Sequence, residues 1–456
     1  MKKLAVLLMT LLLSAVLCMG FVGCRSTGND INEGNEYTDD AVTITVAIKA
    51  DTTERTYMSA FSRAFNEVNK SIKIELITFA DYQQAMNNYI ASDSMPDVVY
   101  TTGDGHHPYS GSGHYLDLTP YFERDGIDVD DYYSMSIDSA RMTNDPASED
   151  YDGIYFMPRD YNRLTIMYNK DIFDKAGLAY PTEDWTWDDF ISICRQLREK
   201  MNNNENGLST YMYPADLLLN GNVGMFTALT MEGGKLVDEN GMSVVNSQET
   251  QLAYEALRNY VKDGLIIDPT KSSSVSFERN TIAISACVRP VLPNYINDVN
   301  MDFVSYPLNG DTGLVAAGCN GYAISATSEH KEEAWEFVKF IGSEAGQRAF
   351  ATTSGCVPVL RTVAEDENAT WRQFTNARGD QMNHAAFIDN TDSNGNDRDL
   401  YLNIFDKRDP RIMQSLLTLM GECGYSCLHD TYNGRGSIAA ITAYYQEQIN
   451  EYSYIG

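Results

Sequence analysis

Apolar and polar positions alternate from Val42 to Ile48. Val42, Ile44, Val46 and Ile48 are separated by Thr43, Thr45 and Ala47, which predicts a strand. Thr52 and Thr53 stand where a helix is capped, and Tyr57, Phe61, Ala64, Phe65 and Val68 fall on one helical stripe. Ile72, Ile74 and Leu76 predict a second strand, and Tyr82, Ala85, Met86, Tyr89 and Ile90 a second helix. A third strand over Pro96–Tyr100 ends in the turn Thr102-Gly103-Asp104-Gly105. The order β-α-β-α-β predicts a parallel sheet covered on both faces.

The middle of the chain is more helical. Thr186-Trp187-Asp188-Asp189 reads as a capping box opening a helix with Phe190, Ile191, Cys194 and Leu197 on one side. A helix over 248–262 turns Leu252, Ala256, Leu257, Tyr260 and Val261 inward and stops at Asp263-Gly264. Strand patterns return at Ile282–Ile284, Phe303–Pro307 and Tyr322–Ser325. Ala334, Phe337, Val338 and Ile341 then mark another helix, and 400–456 alternates helical stretches with Gly-rich turns. There is no internal repeat.

The first residues have a different character. Met1-Lys2-Lys3, the apolar run Leu4–Val22 and Gly23-Cys24 read as an export signal ending at a lipid-attachment cysteine; the interrupted run is marginal for a membrane span. Phe21-Val22-Gly23-Cys24 resembles the bacterial lipobox. The expected mature chain starts at Cys24, outside the cytoplasm and tied to the outer leaflet. Residues 25–41, polar and without period, read as a flexible tether.

Composition narrows the function classes. The 456 residues carry a formal charge of −30, which repels nucleic acid and anionic lipid surfaces. With 29 Tyr and 4 Trp, aromatic ligand contacts fall mostly to Tyr. Beyond Cys18 and Cys24, six cysteines remain: Cys194, Cys287, Cys319, Cys356, Cys423 and Cys427. Outside the cytoplasm that number permits disulfides, and Cys423 with Cys427 would close a small loop. His106, His107 and His114 sit in HHPYSGSGH, read as a solvated loop and not as a metal cluster. No G-x-S-x-G, H-E-x-x-H or P-loop occurs, and no cofactor or metal is implied.

Several blocks, in order, resemble family 1 extracellular solute-binding proteins of ABC transporters, the maltodextrin-binding type. They are the Ile44–Asp51 strand with its helix, Ala91-Ser92-Asp93-Ser94-Met95-Pro96-Asp97-Val98, and Gly113–Pro120. Tyr151–Pro158 and Met167-Tyr168-Asn169-Lys170-Asp171-Ile172-Phe173 follow. Ala176-Gly177-Leu178, Trp185–Phe190, Phe277–Ile284, Ala334–Ile341 and Ser354–Pro358 complete the series. Two departures stand out: Asp93 and Asn280 occupy positions where the family usually has Gly.

The resemblance implies an α/β, periplasmic-binding-protein-like fold. Two α/β lobes are joined by a multi-segment hinge, with a ligand cleft between them. The expected division is signal 1–23, tether 24–41, first lobe 42–155 plus 277–325, and second lobe 156–276 plus 326–456. Crossings are expected near Tyr155–Asp160, Ser274–Phe277 and Ser325–Ser328. Ligand then lies at the carboxyl ends of the strands, and the lobes close over it by hinge bending.

Loops after strands supply the candidate ligand-binding residues: Asp51 and Glu54, Thr102 and Asp104, Arg159, Asp160 and Tyr161, Arg289, Gly318 and Asn320. Tyr82, Tyr213 and Asp216 join them, with Tyr211 nearby. Carboxylates, amides and guanidinium groups bond paired hydroxyls, and Tyr rings stack on sugar C–H faces, so the expected ligand is a carbohydrate. Other readings of the same residues stay open. Asp51 or Thr53 caps a helix, Asp104 shapes an Asx turn, Arg159 pairs with Asp160, and Trp187 and Trp335 pack in a core. Arg159 and Arg289 both facing the cleft would point to an anionic sugar. The implied protein is no enzyme but a lipid-anchored monomer that hands a carbohydrate to ABC permease subunits. The alternatives are a secreted polysaccharide-degrading enzyme, which needs paired carboxylates, and a sensor lipoprotein that partners a receptor.

Overall fold

The alternating run forms strand β1 (Val42–Lys49), which pairs in parallel with β2 (Ile72–Phe79) and β3 (Val98–Thr102). A computed structural model describes residues 31–452, apart from 33, 143–152, 239–240, 272–274, 311–312, 354, 390, 392–396, 402–412 and 430–435. The export signal, Cys24, the start of the tether and Tyr151-Asp152 lie outside the described residues.

Two antiparallel strands extend the first sheet: β11 (Asn320–Ile324) beside β3, then β4 (Met157–Pro158) beside β11. The helix Thr52–Val68 and the helix Lys331–Gly342 share one core with it. Tyr57, Phe61 and Phe65 from the first and Trp335, Phe337 and Val338 from the second are buried with Ile44, Val46 and Ile48. Each such side chain contributes about 1.5–3 kcal/mol on leaving water. Val68, expected on the stripe, lies in the last helical turn and stays exposed.

The second sheet is built on β6 (Thr165–Asn169), antiparallel to β8 (Ile282–Cys287) and to β9 (Met301–Val304). β7 (Tyr213–Asp216) runs parallel to β8. The helices Trp187–Asn202, Asn222–Met231, Gln248–Lys262, Met413–Leu428 and Ile438–Tyr452 bury their apolar faces in its core. The expected capping box is present: Thr186 accepts from the Asp189 N–H and Asp189 accepts from the Thr186 N–H. In the helix Gln248–Lys262 the buried stripe is Thr250, Ala253, Tyr254 and Leu257, while Leu252 points outward and is exposed.

A small sheet joins the two lobes. β5 (Asp160–Arg163) pairs with β10 (Val315–Gly318) and with β12 (Val357–Pro358), and β10 pairs with β13 (Asp399–Tyr401). The chain leaves the first sheet after β4, runs through β5 into β6, and returns from β10 into β11. The expected lobe division differs from this pairing. The run Ile282–Cys287, placed in the first lobe with a crossing near Ser274–Phe277, pairs with β6 of the second. Likewise, no passage to the second lobe occurs at Ser325–Ser328, because the following helix Lys331–Gly342 packs on the first sheet. The later passage runs by way of β12 and β13 to the helices Met413–Leu428 and Ile438–Tyr452. A third core, with Tyr133, Tyr161, Phe303, Trp371 and Phe387, fills the space behind the hinge.

Both glycine departures have one explanation. Asp93 (φ 50°) ends the helix Tyr82–Ser92 in the left-handed region, and Asn280 (φ 55°) adopts the same conformation. Asp and Asn are the non-glycine residues that tolerate it, by bonding locally through a short polar side chain. The Asn280 side chain also bonds across the fold, its Oδ1 accepting from Asn169 Nδ2 at 2.7 Å.

The six cysteines are free and buried, distributed over the three cores. Cys423 and Cys427 lie one turn apart inside a core helix and close no loop. His106 and His107 correct the solvated-loop expectation. The chain after β3 folds inward, and both imidazoles are buried, 4.1 Å apart between ring centres.

Candidate functional site

A cavity of about 220 Å³ opens between the lobes at the carboxyl end of β3. The first lobe contributes Thr102, Gly103, Asp104 and Ser139, and the second contributes Val223 and Val288. The hinge strands contribute Asn162 and the run Ala316–Asn320. Local chemistry shapes this wall. Thr102 Oγ1 donates to Asp104 Oδ1 at 2.7 Å, so Asp104 does shape its turn while lining the cavity. Gly103 is required there, because a Cβ would lie 2.8 Å from Ser139 Cβ. Its N–H donates to the Cys319 carbonyl at 3.0 Å, tying the β3 turn to the hinge.

Four expected residues therefore meet at one cavity: Thr102, Asp104, Gly318 and Asn320. Three others stand behind it. Arg159, 1% exposed, donates to Glu54 Oε2 at 2.6 Å and to Asp160 Oδ2 at 2.7 Å, and its guanidinium lies over the Tyr57 ring at 4.9 Å. Burial opposes its charge, but the Glu54 and Asp160 carboxylates outweigh that and raise its pKa well above the ordinary arginine value. Glu54 and Asp160 are buried too. These residues, expected to touch ligand, form an internal ion cluster that clamps the hinge segment to the helix Thr52–Val68.

The remaining candidates lie elsewhere. Asp51 is exposed and caps its helix by accepting from the Glu54 N–H at 2.7 Å. Tyr82 donates to the Tyr100 carbonyl at 2.7 Å and so buttresses β3. Tyr161 points to the rear core, donating to Asp399 Oδ2 at 2.6 Å and stacking on Tyr133. Tyr213 lies under the Arg198 guanidinium, and Tyr211 is exposed. Asp216 accepts from the Leu218 N–H at 2.8 Å, and burial raises its pKa. That bond holds Leu218 at φ 56°, a strained conformation for this residue, at the entry to the helix Asn222–Met231. Arg289 is fully buried in the rear core, where it donates to the Trp371 carbonyl. Burial pushes its pKa down to about 10. Because Arg159 and Arg289 are both withdrawn from the cavity, the ground for an anionic ligand disappears.

Sequence reasoning missed Asn162, Ser139, Val223, Val288, Ala316, Ala317 and Cys319. For Asn162 a signal existed: in a strand it shares a face with Asp160, two residues away. The others come from strand β10, the start of the helix Asn222–Met231 and the segments next to regular elements, and lobe packing decides that they meet at one cavity. A second cavity of about 280 Å³ lies at the start of the helix Asn222–Met231, against Gly421, Glu422 and Tyr425 of the helix Met413–Leu428. It lies beside the inter-lobe cavity, since Asn222 lines one and Val223 the other.

Comparisons with known proteins agree with this fold. The model of the bacterial extracellular solute-binding protein family matches residues 49–348. The binding protein BAB2_0491 of Brucella abortus (strain 2308) is 24% identical over 241 residues, 48% of this chain and 55% of its own length. The chain thus spans about half the length of the curated relatives it matches. The sugar transporter RHE_PF00321 of Rhizobium etli, in an open conformation, superposes with a TM-score of 0.69 at 22% identity, covering 90% of this chain and 99% of that one. The ABC substrate-binding protein Lmo0181 of Listeria monocytogenes, in complex with cycloalternan, gives 0.65 at 20% identity over 91% and 99%. The sugar-binding protein MalE of Xanthomonas citri gives 0.68 at 16% identity over 90% and 97%.

Proposed function

Because the chain belongs to the bacterial extracellular solute-binding proteins, binders and not enzymes, we propose that it captures a neutral carbohydrate for an ABC importer. The observation that carries this reading is the inter-lobe cavity. Its polar wall is made of hydroxyl, amide and carboxylate groups from the first lobe and the hinge, Thr102, Asp104, Ser139, Asn162 and Asn320, and the second lobe faces it with the apolar Val223 and Val288. Such groups donate to and accept from the paired hydroxyls of a sugar. Among the described residues, no cationic side chain lines the cavity, which suits an uncharged ligand. The solved relatives in complex with cycloalternan and maltose support a sugar of more than one ring.

Closure of the lobes about β5 and β10 traps the ligand and creates the surface that permease subunits read. The protein acts as a monomer held at the outer face of the membrane by lipid on Cys24, with the 25–41 tether giving it reach. A thermal-shift screen of maltose, tagatose, acarbose and cycloalternan tests the ligand class. A hundredfold excess over the dissociation constant stabilises the folded state by about 2.7 kcal/mol. Stabilisation by amino acids or peptides with none by any of these sugars overturns the carbohydrate reading.

A further inference from the structure

Asp160 has more partners than a hinge ion pair needs. Its Oδ2 accepts from Arg159 Nε and Nη2 at 3.1 and 2.7 Å. Its Oδ1 accepts from the Asn320 backbone N–H at 2.9 Å and from Asn162 Nδ2 at 2.8 Å. Asn320 Nδ2 lies 3.3 Å from both carboxylate oxygens, and Asn320 Oδ1 accepts from Tyr100 Oη at 2.9 Å. Both asparagines line the inter-lobe cavity. Asp160 itself is fully buried, and Arg159 is held from behind by Glu54. Neither charge can swing away without leaving the other buried and unpaired.

One polar atom is left over. Asn162 Oδ1 is closed off from solvent and has no hydrogen-bond partner. Native proteins retain few such acceptors, and each calls for an explanation. The partner of its own amide nitrogen fixes which way the group faces: only the nitrogen can donate to Asp160, so the oxygen must take the other side.

Resting on the carbohydrate reading, we propose that Asp160 is a positioning residue: it fixes the Asn162 and Asn320 amides at the hinge side of the cavity and leaves Asn162 Oδ1 as a preoriented acceptor for a ligand hydroxyl. An acceptor already held in place loses no rotamer freedom when ligand arrives, which strengthens binding without a new contact. The residue with the largest effect on affinity through this device need not touch the sugar.

The test has two independent readouts on the full chain. The first needs no ligand. With ¹⁵N-asparagine labelling, and Asn162→Ala and Asn320→Ala for assignment, both side-chain amides of the wild type show slowed hydrogen exchange. Asp160→Asn shifts both resonances and speeds exchange. Exchange in the wild type as fast as for free asparagine overturns the proposal, and this holds even where Asp160→Asn does not fold.

The second readout is calorimetric titration with maltose and with tagatose. Asp160→Asn and Asn162→Ala each weaken binding by about tenfold to a hundredfold, the range for hydrogen bonds to charged or buried partners. The double variant loses no more than the worse single one, because the two act through one bond. Additive losses, or full affinity in Asp160→Asn, overturn the positioning role. If the amides of the wild type are protected while amino acids or peptides stabilise it and none of the four sugars does, the carbohydrate reading fails and the positioning role stands.

Discussion

Replacing Arg159 by Met provides the sharpest test of how the hinge is held. Arg159 is 1% exposed at its side chain, Glu54 9% and Asp160 0%, so the cluster holds one positive and two negative groups out of water. At about 4 Å between charge centres and an effective dielectric near 20, each pairing is worth about 4 kcal/mol. Removing the guanidinium forfeits two pairings and relieves its own desolvation, which is several kcal/mol. The net expected loss is about 3–5 kcal/mol, the cost of breaking a buried pair from one side. Glu54→Gln behaves differently: it leaves Arg159 paired with Asp160 and costs about 1–2 kcal/mol for a weakened hydrogen bond. Urea unfolding followed by far-ultraviolet circular dichroism measures both variants against the wild type at one pH. A loss under 1 kcal/mol for Arg159→Met, or one no larger than for Glu54→Gln, refutes the view that this cluster clamps the hinge.

Further expectations follow from other contacts. Burial lowers the pKa of His107 and of His384 to about 4, with Asp104 opposing the shift at His107 and Arg289 adding to it at His384. The unfolded chain then binds more protons than the folded one between pH 6.5 and 4. Stability is therefore full above pH 6.5 and falls as the pH drops, by up to about 3 kcal/mol per histidine; His384→Gln should flatten the urea midpoint across that window. At Gly321 a Cβ would lie 2.2 Å from the Met157 carbonyl oxygen, so Gly321→Ala must part β11 from β4 and should cost about 1–3 kcal/mol in thermal unfolding. Gly421→Ala drives a methyl against Asn222 Oδ1 and should loosen the helix Met413–Leu428, read as faster proteolysis of residues after 413. Asp93→Ala should destabilise by about 1 kcal/mol where Asp93→Gly does not, because alanine lacks the local bonding that tolerates φ 50°.

The residues themselves determined much of the local structure. Periodicity located the extent of the helix Gln248–Lys262, though not its buried face, and the capping box at Thr186–Asp189, because both depend on neighbours a few positions apart. The parallel order of β1, β2 and β3 followed from β-α-β connectivity. Ordered motifs pointed to the family, and the two departures from its glycines were visible in the chain, but only the structure showed that Asp93 and Asn280 adopt left-handed backbone.

What the chain alone did not decide is which strand joins which sheet. Ile282–Cys287 is buried on both faces, so its pattern reports burial and carries no register; the partner at β6 lies more than a hundred positions away. The same holds for charge. Arg159, Asp160 and Glu54 suit a ligand or one another equally well as residue types. Only the approach of the helix Thr52–Val68 to the hinge pairs them internally and leaves Asn162 and Asn320 at the cavity. Sequence sets what a side chain can bond; the packing of the two lobes sets what it meets.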